Sequence, residues 1–194
     1  MADNADIVGE QAGQAATQID KDFFFQAIKD NKLFLTLTQL EVNGMNDIID
    51  YFISKYTDLR WLAYVLATVY HETAETMQPV KEYGGEKYLK SKKYYPYYGR
   101  DLCQTTWIYN YQKVKDFSGI DVVSNPDLIG QMPLAAKVAI EFMVHGWYTG
   151  KKLQDYFNSV KEDYVNARKI INGLDKAELI AGYGKKFFAS LKTL

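Results

Sequence analysis

The stretch "TDLRWLAYVLATVYHETAET", residues 57 to 76, constrains the fold of this chain more than any other. Apolar residues at 59, 62, 65, 66 and 69 recur at the spacing of one helical face. Thr57 or Asp58 offers a side-chain oxygen to cap the first turn. A helix this apolar needs other helices around it. Two are predicted on its N-terminal side. Asp20 caps a short one in "KDFFFQAIKD" that ends before Asn31 and Lys32. Thr38 and Glu41 stand at capping-box spacing for a second over 39 to 55, whose apolar face is Leu40, Ile48, Ile49, Phe52 and Ile53.

Helical patterns return at 107 to 116, at 133 to 147, at 151 to 159, at 161 to 171 and at 175 to 192, where glycines threaten the last run. Leu134, Val138, Ile140, Phe142 and Met143 mark the 133 helix as core. From 78 to 104 the periodicity is lost, and the Gly, Pro and Tyr content predicts a long ordered loop or a short hairpin, which in a compact domain is usually functional. The expectation is a mainly α single domain over residues 20 to 194 with room for only a small sheet. Residues 1 to 19, small and polar, read as a flexible lead-in.

Composition narrows the function classes. Lys+Arg 23 against Asp+Glu 24 leaves a net charge of -1, which argues against a nucleic-acid binder or a polybasic membrane anchor. The lone Cys103 can form no internal disulfide, and no Cys/His cluster offers a structural zinc site. The apolar runs fall short of the ~20 residues a membrane span needs. The N-terminus lacks the basic and apolar regions of a Sec signal peptide, so a protein made in a host cytoplasm is expected.

The polar residues at the end of the long helix carry the chemistry. A metalloprotease motif needs His at i and i+4, and here the residue four after His71 is Glu75, so zinc is not expected and no cofactor is implied. Extending the stripe of Leu62, Val65 and Val69 by three residues lands on Glu72, a carboxylate on the core-facing side. Burial would raise its pKa and suit it to hold a proton near neutral pH. The same periodicity fits equally well a helix-end glutamate paired with a Lys or Arg, and Glu75 reads as a helix-end charge. Downstream, "KEYGGEKYLKSKKYYPYYGRD" holds six tyrosines, at 83, 88, 94, 95, 97 and 98, with carboxylates at Glu82 and Glu86. Tyrosine rings suit stacking on sugars, although several could simply roof the core. A protected acid and a second carboxylate across an aromatic cleft fit glycoside hydrolysis, in which an inverting pair stands roughly 6.5 to 9.5 Å apart.

"HET" at 71 to 73, "YYGRDLCQTTWIYNY" at 97 to 111, "NPDLI" at 125 to 129 and "IING" at 170 to 173 occur in an order and spacing that resemble the family 19 chitinases and the related phage endolysins. The resemblance spans roughly residues 34 to 190. It implies an α+β lysozyme-like fold, a helical bundle with a small β-hairpin region and a substrate cleft between two lobes. By position it implies Glu72 as general acid and Glu82 as second carboxylate, with Glu86 in reserve. Thr106 stands where the family holds the attacking water, and Gln104, Asn110 and Asn172 match substrate contacts. His71, Tyr98 and Tyr109 are expected to line the substrate with them, and Arg100 to anchor the block. Asp101 replaces the family's usual Gly, so either the turn is altered or Asp101 is a third cleft carboxylate. The cysteines and glycine-rich repeats of plant chitinases are lacking, which points towards the phage branch. The expected function is an endolysin-type glycosidase cleaving peptidoglycan as a monomer, with a chitinase or a non-catalytic wall-binding virion protein as alternatives.

Overall fold

A computed structural model describes residues 18 to 194. Most of the segment expected to be a flexible lead-in lies outside the described residues. Ile19 does not fit that expectation: it is buried and forms an antiparallel bridge with Thr193, while the Leu194 N–H donates to the Gln18 carbonyl at 3.0 Å.

The helices are α1 (Lys21–Asp30), α2 (Gln39–Ile53), α3 (Leu59–Glu72), α4 (Glu86–Lys90), α5 (Ile108–Ser118), α6 (Leu134–His145) and α7 (Ala177–Ser190). The caps fall where the side chains dictate. The Asp20 Oδ1 accepts from the Phe23 N–H at 3.0 Å, and Thr38 and Glu41 complete their reciprocal box at 3.3 and 2.7 Å. Asp58, rather than Thr57, caps α3 by accepting from the Arg60 N–H. Every residue of α3 from Trp61 to Tyr70 is buried, so the apolar stripe understates its environment. α7 lies along α3, with α1 and α2 packed beside them. α7 runs unbroken through Gly182 and Gly184. The second is needed because a Cβ there would stand 2.8 Å from the Tyr164 ring.

Two apolar cores meet at α6. Ala135, Ala136, Ala139, Ile140, Met143 and Val144 face the large core built on α3, while Leu134, Val138 and Phe142 face a smaller one with Tyr111, Val114, Val122 and Ile129. Glu141, on the same helix, accepts from Tyr51 at 2.7 Å, from Lys55 and Tyr56 at 3.1 Å, and sits 3.1 Å from the His145 Nε2. This buried carboxylate ties α2 to α6. Burial pushes its carboxyl up, but the hydrogen bonds from His145 and Tyr51 and the charge of Lys55 outweigh it and pull it down to about 2.

Two expected helices are absent. Residues 151 to 171 form only the 3-10 turns Leu153–Asp155 and Asn166–Ile170 and an isolated bridge between Phe157 and Glu162. The local reason is competition for the backbone: Asn158 accepts from the Val160 N–H and Asp163 from the Asn166 N–H, contacts that a helix makes only at its first turn and that here fall inside the expected runs. The expected hairpin region is also reduced. The Glu82 N–H donates to the Gly99 carbonyl at 2.8 Å and the Val80 N–H to the Asp101 carbonyl at 3.3 Å, a short pairing that ends where the chain turns at Gly84. Among the described residues the only bridges are isolated ones.

Candidate active site

Glu72 is the last residue of α3, which ends as Thr73 turns its hydroxyl back to the Val69 carbonyl at 2.8 Å. Its side chain is a fifth exposed, and its Oε1 accepts from the Arg168 Nη1 at 2.6 Å. This corrects the expectation of an apolar enclosure: the carboxylate ends the core-facing stripe but meets a buried guanidinium there. Arg168 is only 3% exposed, and its Nε donates to the Asp175 carbonyl, closing the turn that carries Asn172. Asn172 is exposed on that turn, its N–H bonded to the Arg168 carbonyl.

Beyond Glu72 the chain makes an unusually strained turn. Ala74, Glu75 and Met77 have φ of 49°, 71° and 54°, the left-handed region that costs a side-chain-bearing residue about 1 kcal/mol or more. Thr73 holds the turn, its Oγ1 accepting from the Met77 N–H at 3.0 Å. α2 crosses it at Gly44, where an added Cβ would lie 2.1 Å from the Met77 carbonyl oxygen. Glu75 is therefore not a helix-end charge. It lies past the end of α3, exposed within this turn.

Glu82 belongs to the tyrosine loop. Its Oε1 accepts from the Tyr94 hydroxyl at 2.6 Å, and its Oε2 from the Gly99 N–H at 3.4 Å. Partial burial and the bond to Glu82 push the Tyr94 hydroxyl up to about 12, so it remains a donor across the working pH range. Glu82 lines a pocket of about 570 Å³ with Lys81, Tyr83, Glu86, Tyr95 and Tyr98. The two reserve carboxylates are placed differently. Glu86 is exposed and paired with Lys90 at 2.6 Å. Asp101 is fully buried and accepts from the Thr105 N–H at 2.8 Å and the Thr105 hydroxyl at 2.6 Å. It is a clamp on its own loop rather than a third cleft carboxylate, and burial pushes its carboxyl up against the pull of those bonds.

That clamp shapes the segment that carries Gln104, Thr106 and Trp107. Gln104 and Trp107 have φ of 59° and 76°, and the Gln104 amide donates to the Val80 carbonyl, pinning the strand-like segment that bears Glu82. Gln104 thus reaches the site through the backbone it holds. Thr106 is half-buried and its carbonyl accepts from the Asn110 Nδ2 at 2.9 Å. The Asn110 Oδ1 is buried and points at no protein donor. Trp107 and Tyr109 are exposed with rings nearly parallel, 14° apart, and Trp107 meets Tyr94 edge-on at 5.5 Å. Tyr98 is buried, with the Arg100 guanidinium 3.4 Å from its ring centre, so that face is closed to a sugar. Arg100 anchors the block, donating to Asp127 at 2.7 Å and to the Pro96 and Tyr98 carbonyls.

His71 is half-buried beside Glu72. His145 faces Glu141 and stacks on Trp147 at 4.8 Å, engaged in the framework at the end of α6. The sequence reading missed Arg168 and Tyr94. Arg168 was foreshadowed by the alternative of a glutamate paired with an arginine, and it lies just before "IING". Tyr94 stood out in nothing from its five loop neighbours.

No family model matches the chain. A stretch of 57 residues, 29% of the chain, is 46% identical to Chitinase 11 of Oryza sativa subsp. japonica, of which it covers 21%. An endochitinase of Arabidopsis thaliana is 29% identical over 101 residues, 49% of this chain and 34% of that one. The chain thus spans a fifth to a third of the length of these curated relatives. Among solved structures, chitinase C from Streptomyces griseus aligns with a TM-score of 0.55 at 19% identity, covering 93% of this chain and 79% of that one. A bacterial family 19 chitinase aligns with a TM-score of 0.50 at 20% identity, covering 88% and 93%. The mainly helical architecture of this chain is therefore that of the family 19 chitinase structures.

Proposed function

We propose that the protein is a glycoside hydrolase acting on an N-acetylamino-sugar polymer, with a chitin-like chain as its substrate. The observation that carries this reading is a pair of carboxylates each held by a dedicated donor, Glu72 by Arg168 and Glu82 by Tyr94, on a chitinase fold. The relatives' names support chitin over peptidoglycan.

In the proposed reaction the Glu72 carboxyl donates its proton to the glycosidic oxygen as the bond to the anomeric carbon breaks. A water on the opposite face of the sugar gives its oxygen to that carbon and its proton to the Glu82 carboxylate. Thr106 helps hold that water. The Arg168 guanidinium stands ready to balance the carboxylate left on Glu72. Asn110, Asn172, His71 and Tyr109 are the proposed substrate contacts around them. Attack from the face opposite the leaving group inverts the anomeric configuration.

One observation favours the peptidoglycan reading. Lys81 lines the same pocket as Glu82, its ammonium 5.4 Å from the Tyr98 ring centre, where a sugar bearing a carboxylate would meet it. Incubation with purified chitin and with purified peptidoglycan, scored for new reducing ends, separates the two substrates. Proton NMR of the first product gives the anomer. Activity on neither polymer, or a wild-type rate from Glu72→Gln, would sink the proposal.

A further inference from the structure

We infer that Tyr94 is a positioning residue, a hydroxyl latch that fixes the rotamer of the second carboxylate and thereby selects Glu82, over Glu86 and Asp101, as the base. The inference rests on the proposed hydrolase reading and adds to it a residue and a physical criterion.

A general base has to present one carboxylate oxygen to a single water, along one direction, and its side chain has three rotatable bonds with which to miss. Glu82 sits on a loop, where no helix restrains it. Its backbone is pinned by the Gly99 carbonyl at 2.8 Å, which leaves the carboxylate itself to be aimed. The Gly99 N–H is a weak restraint at 3.4 Å, so the short 2.6 Å bond from Tyr94 to Oε1 dominates. That leaves Oε2, held only by the long Gly99 bond, as the oxygen with capacity to face water.

Three features suit Tyr94 to the task. Its hydroxyl is held protonated by its surroundings, pushed up to about 12, so it donates and never competes for the proton that the base must take. A neutral donor leaves Glu82 with its charge, whereas the ammonium of Lys90 partly cancels that of Glu86. Finally, the Tyr94 ring is braced edge-on by Trp107 at 5.5 Å, and the Trp107 N–H is bonded to the Tyr97 carbonyl at 2.8 Å. The latch is therefore tied to the segment that carries Thr106, the residue proposed to hold the same water. Asp101 fails the criterion on access, because Thr105 engages both its oxygens inside the protein.

The test is Tyr94→Phe, which keeps the ring against Trp107 and removes only the hydroxyl. The expected result is a kcat lower by about 10- to 100-fold, the range for losing one hydrogen bond to a charged group, with KM within about threefold of wild type. The melting temperature and the affinity of the Glu72→Gln background for a GlcNAc tetramer, by calorimetry, are expected to stay the same. Tyr88→Phe, on the neighbouring α4 and facing Lys92, is the control and should leave kcat unchanged. In a Glu82→Ala background, Tyr94→Phe should cost nothing further, because its effect passes through Glu82. A wild-type kcat for Tyr94→Phe, or a loss that adds to that of Glu82→Ala, overturns the latch and leaves the hydrolase reading standing. A wild-type rate for Glu82→Gln removes the latch and the assignment of the base together, while leaving Glu72 untouched.

Discussion

Glu72 and Glu82, the proposed acid and base, are held by opposite means. Glu72 ends a helix buried along most of its length, and its partner Arg168 is 3% exposed, so carboxylate and guanidinium are both part of the large core's wall. Glu82 lies on a loop whose side chains are largely open to solvent, and its partner is a phenol from twelve residues further along. One carboxylate is placed by the fold and the other by a local bond. The difference implies that damage to the first site costs stability as well as rate, while damage to the second costs rate alone.

The largest expected effect is that of Glu72→Gln: a loss of rate on the order of 10³-fold, within the range for removing a general acid, with a lower melting temperature because the neutral amide leaves the buried Arg168 guanidinium without its counter-charge. A reducing-end assay beside a thermal melt measures both. Arg168→Leu should break the comparison at its structural side. Stranding a carboxylate beside the core and losing the bond to Asp175 should cost about 3 kcal/mol in chemical denaturation, whereas Tyr94→Phe should cost none. If the two variants melt alike, the contrast between core-borne and loop-borne carboxylates is false.

Glu141 sets the pH range in which that contrast can be measured. Its carboxyl titrates near 2 in the folded protein against 4.5 when free, so its stabilisation is fully present above pH 4.5 and is lost as the pH falls towards 2. That lowering corresponds to roughly 3 kcal/mol at neutral pH. Glu141→Gln should therefore lie that far below wild type at pH 7 in urea titrations, and the gap should close as the solution is acidified. A gap that stays constant down to pH 2 would rule the ionised carboxylate out as the source.

The smallest effect is expected at the strained turn. Ala74→Gly relieves a φ of 49° and should raise stability by up to about 1 kcal/mol with no change in rate. If stability rises and activity falls, the strain next to Glu72 is part of the mechanism rather than a by-product of fitting α2 against Met77.

How much of this could be read from residues alone follows the same division. Helix starts at Asp20, Thr38 and Asp58 were legible because a cap is a contact between residues two or three apart. The burial of α3 and the place of Glu72 followed from helical period. Arg168 was not legible as its partner, since the two are 96 residues apart and no periodicity links them. Residues 151 to 171 were misread as helical because their apolar spacing passes for helical, while Asn158 and Asp163 make first-turn contacts in mid-run and the chain continues only as short 3-10 turns. Glu82 was reached through resemblance, and its latch could not be read because six tyrosines look alike until one hydroxyl is seen 2.6 Å from an oxygen. Asp101 shows how a substitution reads before its contacts are known: a carboxylate in place of a glycine suggests either an altered turn or a cleft carboxylate, and its side chain is a brace for Thr105.

The clasp between Ile19 and Thr193 has a practical consequence. Because Gln18 and Leu194 are hydrogen-bonded neighbours, the described residues begin and end at one point on the surface. A module of that shape can be spliced into an exposed loop of another protein without prying the host apart, or be cut open at an exposed turn and rejoined across residues 18 and 194. Cutting between Gly84 and Gly85 would place the new ends two and three residues from Glu82, and a cut at the exposed Gly119 would leave both carboxylates on unbroken chain.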